Sequence, residues 1–217
     1  MVFSSDSLTR AAFLRSRAAL LLSRAADGQR GGYLLLHRAR ALELEAAFSL
    51  PAVCCLELND WCGALLEAAA EVCPLPPSSL RFSGWGEPLP VAGRPALLEA
   101  VILQAVCNSL LYAGPCPGME LRLRAVGGRA CLFYLDSGPG LAGDIRPGFG
   151  FGAARAFAQQ AGGSFAVRAG GPGFVCALSL PLRSDLSPLP APRAVELWED
   201  RFSPLYIHLA PRCILPE

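Results

Sequence analysis

Apolar residues in the first fifty positions recur at the spacing of two amphipathic helices. Leucine and alanine follow a helical period over residues 7–26, with arginine on the other faces. Glycines in 27–32 break this pattern, and it resumes over 33–48. We therefore predict a helical hairpin over residues 1–50. Because such a hairpin has too little core to stand alone, pairing with a second copy as a four-helix bundle would bury its apolar faces.

Downstream of the hairpin the pattern changes to a mixture of helices and short strands. Residues 56–73 have a helical period, and Asn59 and Asp60 are the residue types that cap a helix N-terminus. Residues 80–84 and 87–93 are typical of short strands around a turn. This part of the chain therefore predicts a mixed α and β domain.

The segment 94–114 is apolar almost all round, which predicts a helix buried against a sheet. Its polar exceptions Gln104, Asn108 and Tyr112 are spaced four residues apart and share one stripe, whereas Glu99 lies elsewhere. A polar stripe on a buried helix needs partners. Those partners are either neighbouring backbone groups or a ligand with its metal, and the pattern leaves both open.

Strand patterns follow this helix. Residues 119–126 alternate apolar and polar positions, and the glycine turn at 127–128 leads into the apolar strand 131–135. A glycine loop at 148–152 opens another helix, and 164–182 completes the sheet as a hairpin. The fold class is therefore α+β: a two-layer sandwich with a mixed, mainly antiparallel sheet covered by helices on one face.

The composition of the end of the chain predicts a linker followed by a tail. Residues 183–193 are rich in proline, and the remainder carries aromatic and aliphatic residues in short bursts. A disordered tail would hold fewer large apolar residues, so we expect this one to dock. We expect three parts in all: the hairpin to residue 50, a domain over 51–185, and a linker with a docking tail over 186–217.

Charge and cysteine usage narrow the function classes. The 19 basic residues are all arginine and face 18 acidic ones, for a net charge of +1, so no nucleic acid or anionic membrane is expected as a partner. The nine cysteines form no CxxC pair and there are two histidines, so no local zinc site can be assembled. We interpret the cysteines as small core residues in a reducing compartment, with a disulfide framework as the weaker reading.

Neither a signal peptide nor a membrane span is expected. Arginines interrupt every apolar run near the N-terminus. The longest uncharged stretch, 101–119, carries polar residues and glycine–proline breaks instead of a uniformly apolar sequence. We therefore expect a soluble, cytoplasmic protein.

The stretch DSGPG, residues 136–140, is the strongest candidate for a binding site. Asp136 follows an apolar strand, and the two glycines after it would let a ligand approach the backbone. The same residues also make a good turn, because Asp and Ser cap backbone amides and Gly-Pro-Gly bends the chain. Both readings stay open at this point.

Two further candidates are weaker. Backbone amides at the start of the helix after the 148–152 loop would attract phosphate, although a GxGxG loop is a structural turn at least as often. His37, in the second helix, is a conceivable phosphoacceptor or general base, but a lone helical histidine is more often a surface or interface residue. His208, in the tail, is a lesser candidate.

The order of these motifs resembles the ATP-binding domain of sensor histidine kinases, and the superfamily it shares with gyrase, the mismatch-repair ATPases and the large heat-shock chaperones. The resemblance runs from about Asn59 to Leu182. Residues 88–113 are similar to the segment that leads into and forms the N box of that family, DSGPG to its G1 box, and 148–182 to its G2 box and final hairpin. The upstream hairpin resembles the family's dimerisation and phosphotransfer module.

The resemblance implies a role for each matching residue. At the adenine end, Tyr112 would pack on the base, Asp136 would accept a hydrogen bond from its amino group, and Gly138 and Gly140 would allow close approach.

At the phosphate end, the amide oxygen of Asn108 would be a ligand of Mg²⁺, a hard cation that prefers oxygen. Gly148 and Gly150 would hold phosphates at the helix start. The implied cofactors are ATP and Mg²⁺.

The sequence also departs from the family pattern. Gln104 stands at the first Asn of the N box, where the chaperone and gyrase branches place a Glu base, and Leu111 replaces a Lys that often follows. Only the segment 142–147 lies where the kinases carry a long lid, so the lid is nearly absent. The first hairpin helix lacks the phosphoacceptor histidine, which leaves His37 in the second helix as the candidate.

Three functions remain in view. One is a histidine kinase-type protein of two-component signalling that transfers a phosphoryl group from ATP to protein. Another is a catalytically degenerate dimeric scaffold that binds a response regulator or a partner kinase without turning over ATP, which the missing lid and acceptor histidine favour. A serine kinase of the anti-sigma type is third, and the N-terminal hairpin speaks against it.

Overall fold

The structure, a computed structural model, describes residues 5–22, 29–48, 50–52, 54–73, 75–76, 78–140, 149–168 and 171–210. Its first two helices, α1 (Ser5–Leu22) and α2 (Gln29–Ala47), pack against each other as a hairpin. An ion pair ties them together, because the Arg15 guanidinium donates to both carboxylate oxygens of Glu43 over 2.6 and 2.5 Å. These bonds hold the pKa of Glu43 below its usual value.

The remaining elements alternate between strand and helix. In chain order they are β1 (Cys54–Glu57), α3 (Leu58–Val72), β2 (Leu80–Ser83), β3 (Pro90–Gly93), α4 (Pro95–Tyr112), β4 (Met119–Val126), β5 (Arg129–Asp136), α5 (Phe149–Gln160), β6 (Ser164–Val167), β7 (Val175–Pro181), β8 (Pro188–Leu189), α6 (Ala194–Glu199) and α7 (Pro204–Leu209).

The strands form two sheets. The larger has the order β2-β4-β5-β7-β6 and is antiparallel except for the parallel pair β2 and β4. The smaller has the order β3-β1-β8, and a bridge between Val91 and Leu182 links it to the end of β7. The predicted α+β fold with an N-terminal hairpin is confirmed. The prediction of a single sheet is corrected to two sheets, because β2 and β3 belong to different sheets and the short strand β1 joins β3 and β8 in the smaller one.

The N-terminal cap of α3 is Glu57, and the prediction of an Asn59 and Asp60 cap is wrong. The Glu57 carboxylate accepts hydrogen bonds from the backbone N–H groups of Asp60 (2.8 Å) and Leu89 (2.6 Å). Asn59 instead accepts from the backbone N–H of Trp85 at 2.7 Å. Glu57 thus satisfies both a helix terminus and the start of β3.

The helix α4 forms the centre of the core. Its residues Leu97, Leu98 and Leu103 are fully buried. Within the described part of the chain, α4 is the helix long and apolar enough to cross a membrane, with a mean hydropathy of 1.4 over a window that is half buried inside the fold. A core helix packed on a sheet has this composition without a membrane.

The C-terminal segment packs on the rest of the chain. Strand β8 pairs with β1 in parallel, and the Trp61 indole donates to the Leu189 carbonyl at 3.3 Å. Helix α6 packs on α3, while α7 packs on both α4 and α2. The Tyr33 hydroxyl donates to the Arg201 carbonyl at 3.0 Å, and its ring stacks on Tyr206. The segment therefore joins the hairpin to the α/β domain.

Candidate functional site

The carboxylate of Asp136 lies at the end of β5 and is held by three donors of the protein itself. Its Oδ1 accepts from the backbone N–H groups of Gly138 (2.9 Å) and Phe174 (3.0 Å). Its Oδ2 accepts from the Ser109 hydroxyl at 2.6 Å. A carboxylate has about four acceptor positions. One position, on Oδ2, therefore remains for a further donor.

Ser109 is the residue of this site that sequence reasoning missed. It lies on α4, is 1% exposed, and its hydroxyl is 2.9 Å from the Tyr134 hydroxyl. Because the Ser109 proton points to Asp136, the Tyr134 hydroxyl must donate to Ser109, and burial raises the pKa of that phenol. The sequence signal for Ser109 is a hydroxyl on the buried face of an apolar helix, because such a hydroxyl needs a hydrogen-bond partner across the helix–sheet interface.

Gly138 and Gly140 are needed for close packing of the backbone. A Cβ atom on Gly138 would lie 2.7 Å from the Cβ of Ala113. Gly140 has a φ of +77°, and a Cβ there would collide with the carbonyl oxygen of Gly171. The Gly173 N–H donates to the Gly138 carbonyl at 2.7 Å. The DSGPG segment is therefore a close-packed turn that is hydrogen-bonded to the β6–β7 connection, and its role in binding a ligand stays a prediction.

Tyr112 lies at the end of α4 with 68% of its surface exposed. Ala113, the next residue, touches the DSGPG turn through Gly138. An exposed aromatic ring beside the Asp136 turn is placed where it could cover a flat ligand. Its packing on adenine stays a prediction.

At the other end of the polar stripe, Asn108 is bonded to its helix neighbour. The Gln104 amide donates to Asn108 Oδ1 at 3.1 Å, and Gln104 Oε1 lies 3.4 Å from His37 Nε2. The stripe therefore finds its partners in side chains, one of them on the N-terminal hairpin. Asn108 itself is exposed, so its amide oxygen can turn towards a ligand by giving up one hydrogen bond.

The glycine loop before α5 is part of the helix where it can be described. Phe149, Gly150 and Phe151 belong to α5, and Gly148 lies outside the described residues, as does the short lid segment 142–147. A Cβ on Gly150 would come within 2.8 Å of the Gln104 Cγ. Gly150 thus lets α5 approach α4, and a separate glycine loop at 149–152 is corrected to a first helical turn.

Two histidines meet beside this helix start. The His37 and His208 rings are 5.4 Å apart edge to face, and Phe149 stacks on His208 at 6.3 Å. His208 is 1% exposed, and neither ring nitrogen has a hydrogen-bond partner among the described residues. Burial, with repulsion from His37 and Arg40, lowers the pKa of His208 to about 3. His208 is therefore a neutral, packed ring.

The described residues fit an adenine nucleotide better than a metal ion alone. No group of three or more His, Cys, Asp or Glu side chains that could hold a metal occurs in the described ranges. Asn108 could give a single oxygen to Mg²⁺, which commonly takes few protein ligands and binds mainly through phosphates and water. The free acceptor position of Asp136 suits the amino group of adenine.

Comparison with solved structures identifies the fold. The chain superposes on the Acinetobacter baumannii histidine kinase AdeS with a TM-score of 0.61 and 14% identity, over 84% of this chain and 100% of that one. Full-length ShkA in complex with AMPPNP gives 0.59 and 19%, over 85% of this chain and 45% of that one. The histidine kinase domain of Erythrobacter litoralis EL346 gives 0.50 and 14%, over 82% and 96%.

The chain therefore has the histidine-kinase-like ATPase fold preceded by a helical hairpin. No protein-family profile matches the sequence, and no curated protein matches it either.

Proposed function

We propose that this protein binds ATP and acts in two-component-type signal transduction. The observation that carries the proposal is the Asp136 carboxylate, which is fixed by Ser109, Gly138 and Phe174 with one acceptor position left. The amino group of adenine is a hydrogen-bond donor that would occupy this remaining acceptor position. The fold supports the same reading, because the structures it matches are histidine kinases and one of them holds AMPPNP.

Calorimetric titration with ATP and Mg²⁺ tests this proposal. We expect saturable binding that Asp136→Asn weakens by about ten- to a hundredfold, since a hydrogen bond to a charged group contributes roughly 1.5–3 kcal/mol. The control is Asp185→Asn, an exposed carboxylate paired with Arg183 on the surface. Absence of binding, or equal binding by the Asp136 variant, would contradict the proposal.

Phosphoryl transfer to His37 is the finer form of this function. The supporting observation is that His37 Nε2 lies 3.4 Å from Gln104, on the same polar stripe as Asn108. In that reaction the proton on His37 Nε2, whose hydrogen bond Gln104 Oε1 accepts, would first move to Nδ1. Nε2 would then bond to the γ-phosphorus while the bond from that phosphorus to the β-phosphate oxygen breaks, and ADP would leave. Labelled ATP should then give an acid-labile protein phosphate that His37→Ala abolishes. A label that survives this substitution rules His37 out as the acceptor.

A scaffold without turnover is the second candidate. Asn108 already accepts from Gln104, and the rings of Phe149 and His208 crowd His37, which favours a binding role over repeated catalysis. In this role the protein would form a homodimer and hold a response regulator or a partner kinase.

The exposed apolar residues of α1 support such a homodimer. Phe13 and Leu20 are 62% and 55% exposed, so their burial against a second copy would be favourable. Sedimentation should give a dimer that Phe13→Glu dissociates; a monomeric native chain at micromolar concentration would remove this idea.

A further inference from the structure

The outer face of the larger sheet carries an apolar strip. Side chains alternate across a strand, and Leu132 and Tyr134 of β5 are buried on the side where Tyr134 meets α4. Cys131, Phe133 and Leu135 alternate with them and point the other way. The same outward-facing surface continues onto β7, where Ala177 pairs with Phe133 and Val175 pairs with Leu135. The strip consists of Cys131, Phe133, Leu135, Val175 and Ala177.

This strip lies outside the main core. Its five members are only half-buried and are not packed against the core cluster, unlike their strand neighbours. The helices that cover the sheet lie on the opposite side: α4 reaches Tyr134, and α5 reaches β6 where Phe151 packs on Phe165. The strip is therefore a sheet face that the described elements leave without a covering layer.

Basic residues border the strip on one side. The neighbouring strands β4 and β2 place Arg81, Arg122 and Arg124 on the outer face, beside the single acid Glu120. Arg129, at the start of β5, joins them by bonding to Ser179 of β7. Four arginines against one glutamate concentrate positive charge here, although the whole chain has a net charge of only +1.

The other border is small and uncharged. Ser164 and Ala166 of β6 pair with Ser179 and Ala177 and are exposed. An apolar strip two strands wide measures roughly 10 Å, the diameter of an α-helix, and the stretch 131–135 of β5 spans about 13 Å, or more than two helical turns. The face is thus as wide as an α-helix, is apolar along its centre and is basic along one border.

We propose that this face binds an amphipathic helix of a partner protein whose apolar stripe has acidic residues along one flank. The apolar stripe would cover Phe133 and Leu135. The acidic flank would share Arg122 and Arg81 with Glu120, the glutamate that both arginines already pair with, since they are still 46% and 68% exposed. A second copy of this chain suits the face less well, because it would bring the same excess of arginine. A lipid surface suits it less well too, because arginines border the strip on one side only and the β6 border carries no charge.

The test is selection of displayed peptides on the full-length chain. The library holds amphipathic sequences of about 14 residues, roughly four helical turns, with the flanks of the apolar stripe randomised. Selected peptides are then titrated by fluorescence anisotropy against the native chain and against Phe133→Glu and Arg122→Glu. The matched controls are Phe202→Glu, an equally large change at a residue 60% exposed elsewhere, and Arg17→Glu on α1.

We expect the selected peptides to carry Asp or Glu along one flank and to lose at least about tenfold in affinity with either face variant, while the controls bind as the native chain does. Arg122 is exposed, so Arg122→Glu decides the matter even if Phe133→Glu fails to fold. The proposal is overturned if no peptide is enriched, if acidic flanks are not selected, or if the face variants bind equally well. It is also overturned if these variants instead abolish self-association or binding to phosphatidylserine vesicles.

Discussion

At the scale of single residues, Asp136 is a carboxylate whose position is fixed before any ligand binds. Donors from α4, from its own turn and from the β6–β7 connection hold it: the Ser109 hydroxyl and the N–H groups of Gly138 and Phe174. Such preorganisation lowers the cost of binding, because little side-chain freedom is lost on complex formation. Asp136 could be singled out from its place after an apolar strand. Its partners could not, because they are brought together only by the packing of distant segments.

His208 predicts how stability depends on pH. Its pKa is about 3 in the folded protein, against an ordinary value near 6.5 in the unfolded chain. Below pH 6.5 the unfolded state therefore binds a proton at His208 that the folded state does not bind. The free energy of unfolding then falls on acidification towards pH 3, by up to about 1.4 kcal/mol per pH unit. Urea unfolding of the native chain and of His208→Phe at several pH values measures this contribution.

The variant His208→Phe keeps a ring against Phe149 but cannot be protonated. Its stability should decline less steeply between pH 6.5 and 4 than that of the native chain, and the two should run parallel above pH 7. Parallel curves over the whole range would mean that His208 is not held neutral by the fold.

At the scale of elements, Gly150 sets how closely α5 approaches α4. In an open helix position Gly→Ala stabilises by about 0.5–1 kcal/mol. At Gly150 the new methyl would lie 2.8 Å from the Gln104 Cγ, so Gln104 must move and break its bonds to His37 and Asn108. We expect Gly150→Ala to lower the urea midpoint.

The matched substitution is Gly31→Ala in α2, where the nearest atom is Leu21 Cδ1 at an ordinary 3.7 Å. This variant should raise the urea midpoint, because it gains helix propensity without a collision. If both alanine variants are stabilised alike, then Gly150 is not a point of close helix contact.

Long elements with a clear period could be predicted from the sequence, and short ones could not. Helix α4 and strands β4 and β5 are long enough for their patterns to be distinctive. Strands β1 and β8 have four and two residues, and their pairing is decided by tertiary contacts. The glycines at the start of α5 predict a loop because glycine is a poor helix former, whereas in the structure the helix begins at Phe149 and Gly150 allows its close approach to Gln104.

At the scale of the whole molecule, the C-terminal segment decides how the hairpin lies against the α/β domain. Ile207 of α7 is 5% exposed and packs in one cluster with Ala18, Tyr33 and Leu36 of the hairpin. Ile207→Ala should cost about 2–5 kcal/mol of local stability. In this variant we expect amide hydrogen exchange to become faster in α2 and α7 than in the native chain. Exchange in β5 should stay the same, because the Ile207 contact does not support that strand.

Phe202→Ala is the control for that measurement, because Phe202 lies in the same segment and is 60% exposed. It should leave the exchange pattern unchanged. If Ile207→Ala accelerates exchange equally in β5, the whole molecule unfolds as one cooperative unit. The C-terminal segment then does not control the contact between the hairpin and the α/β domain separately.

The central claim is that Asp136 accepts a hydrogen bond from the amino group of adenine. The most direct test is calorimetric titration of the native chain with ADP and with IDP, whose base carries an oxygen in place of that amino group. Because the carboxylate would then face an acceptor, we predict that IDP binds at least about tenfold more weakly than ADP. Equal affinity for the two nucleotides would contradict the claim.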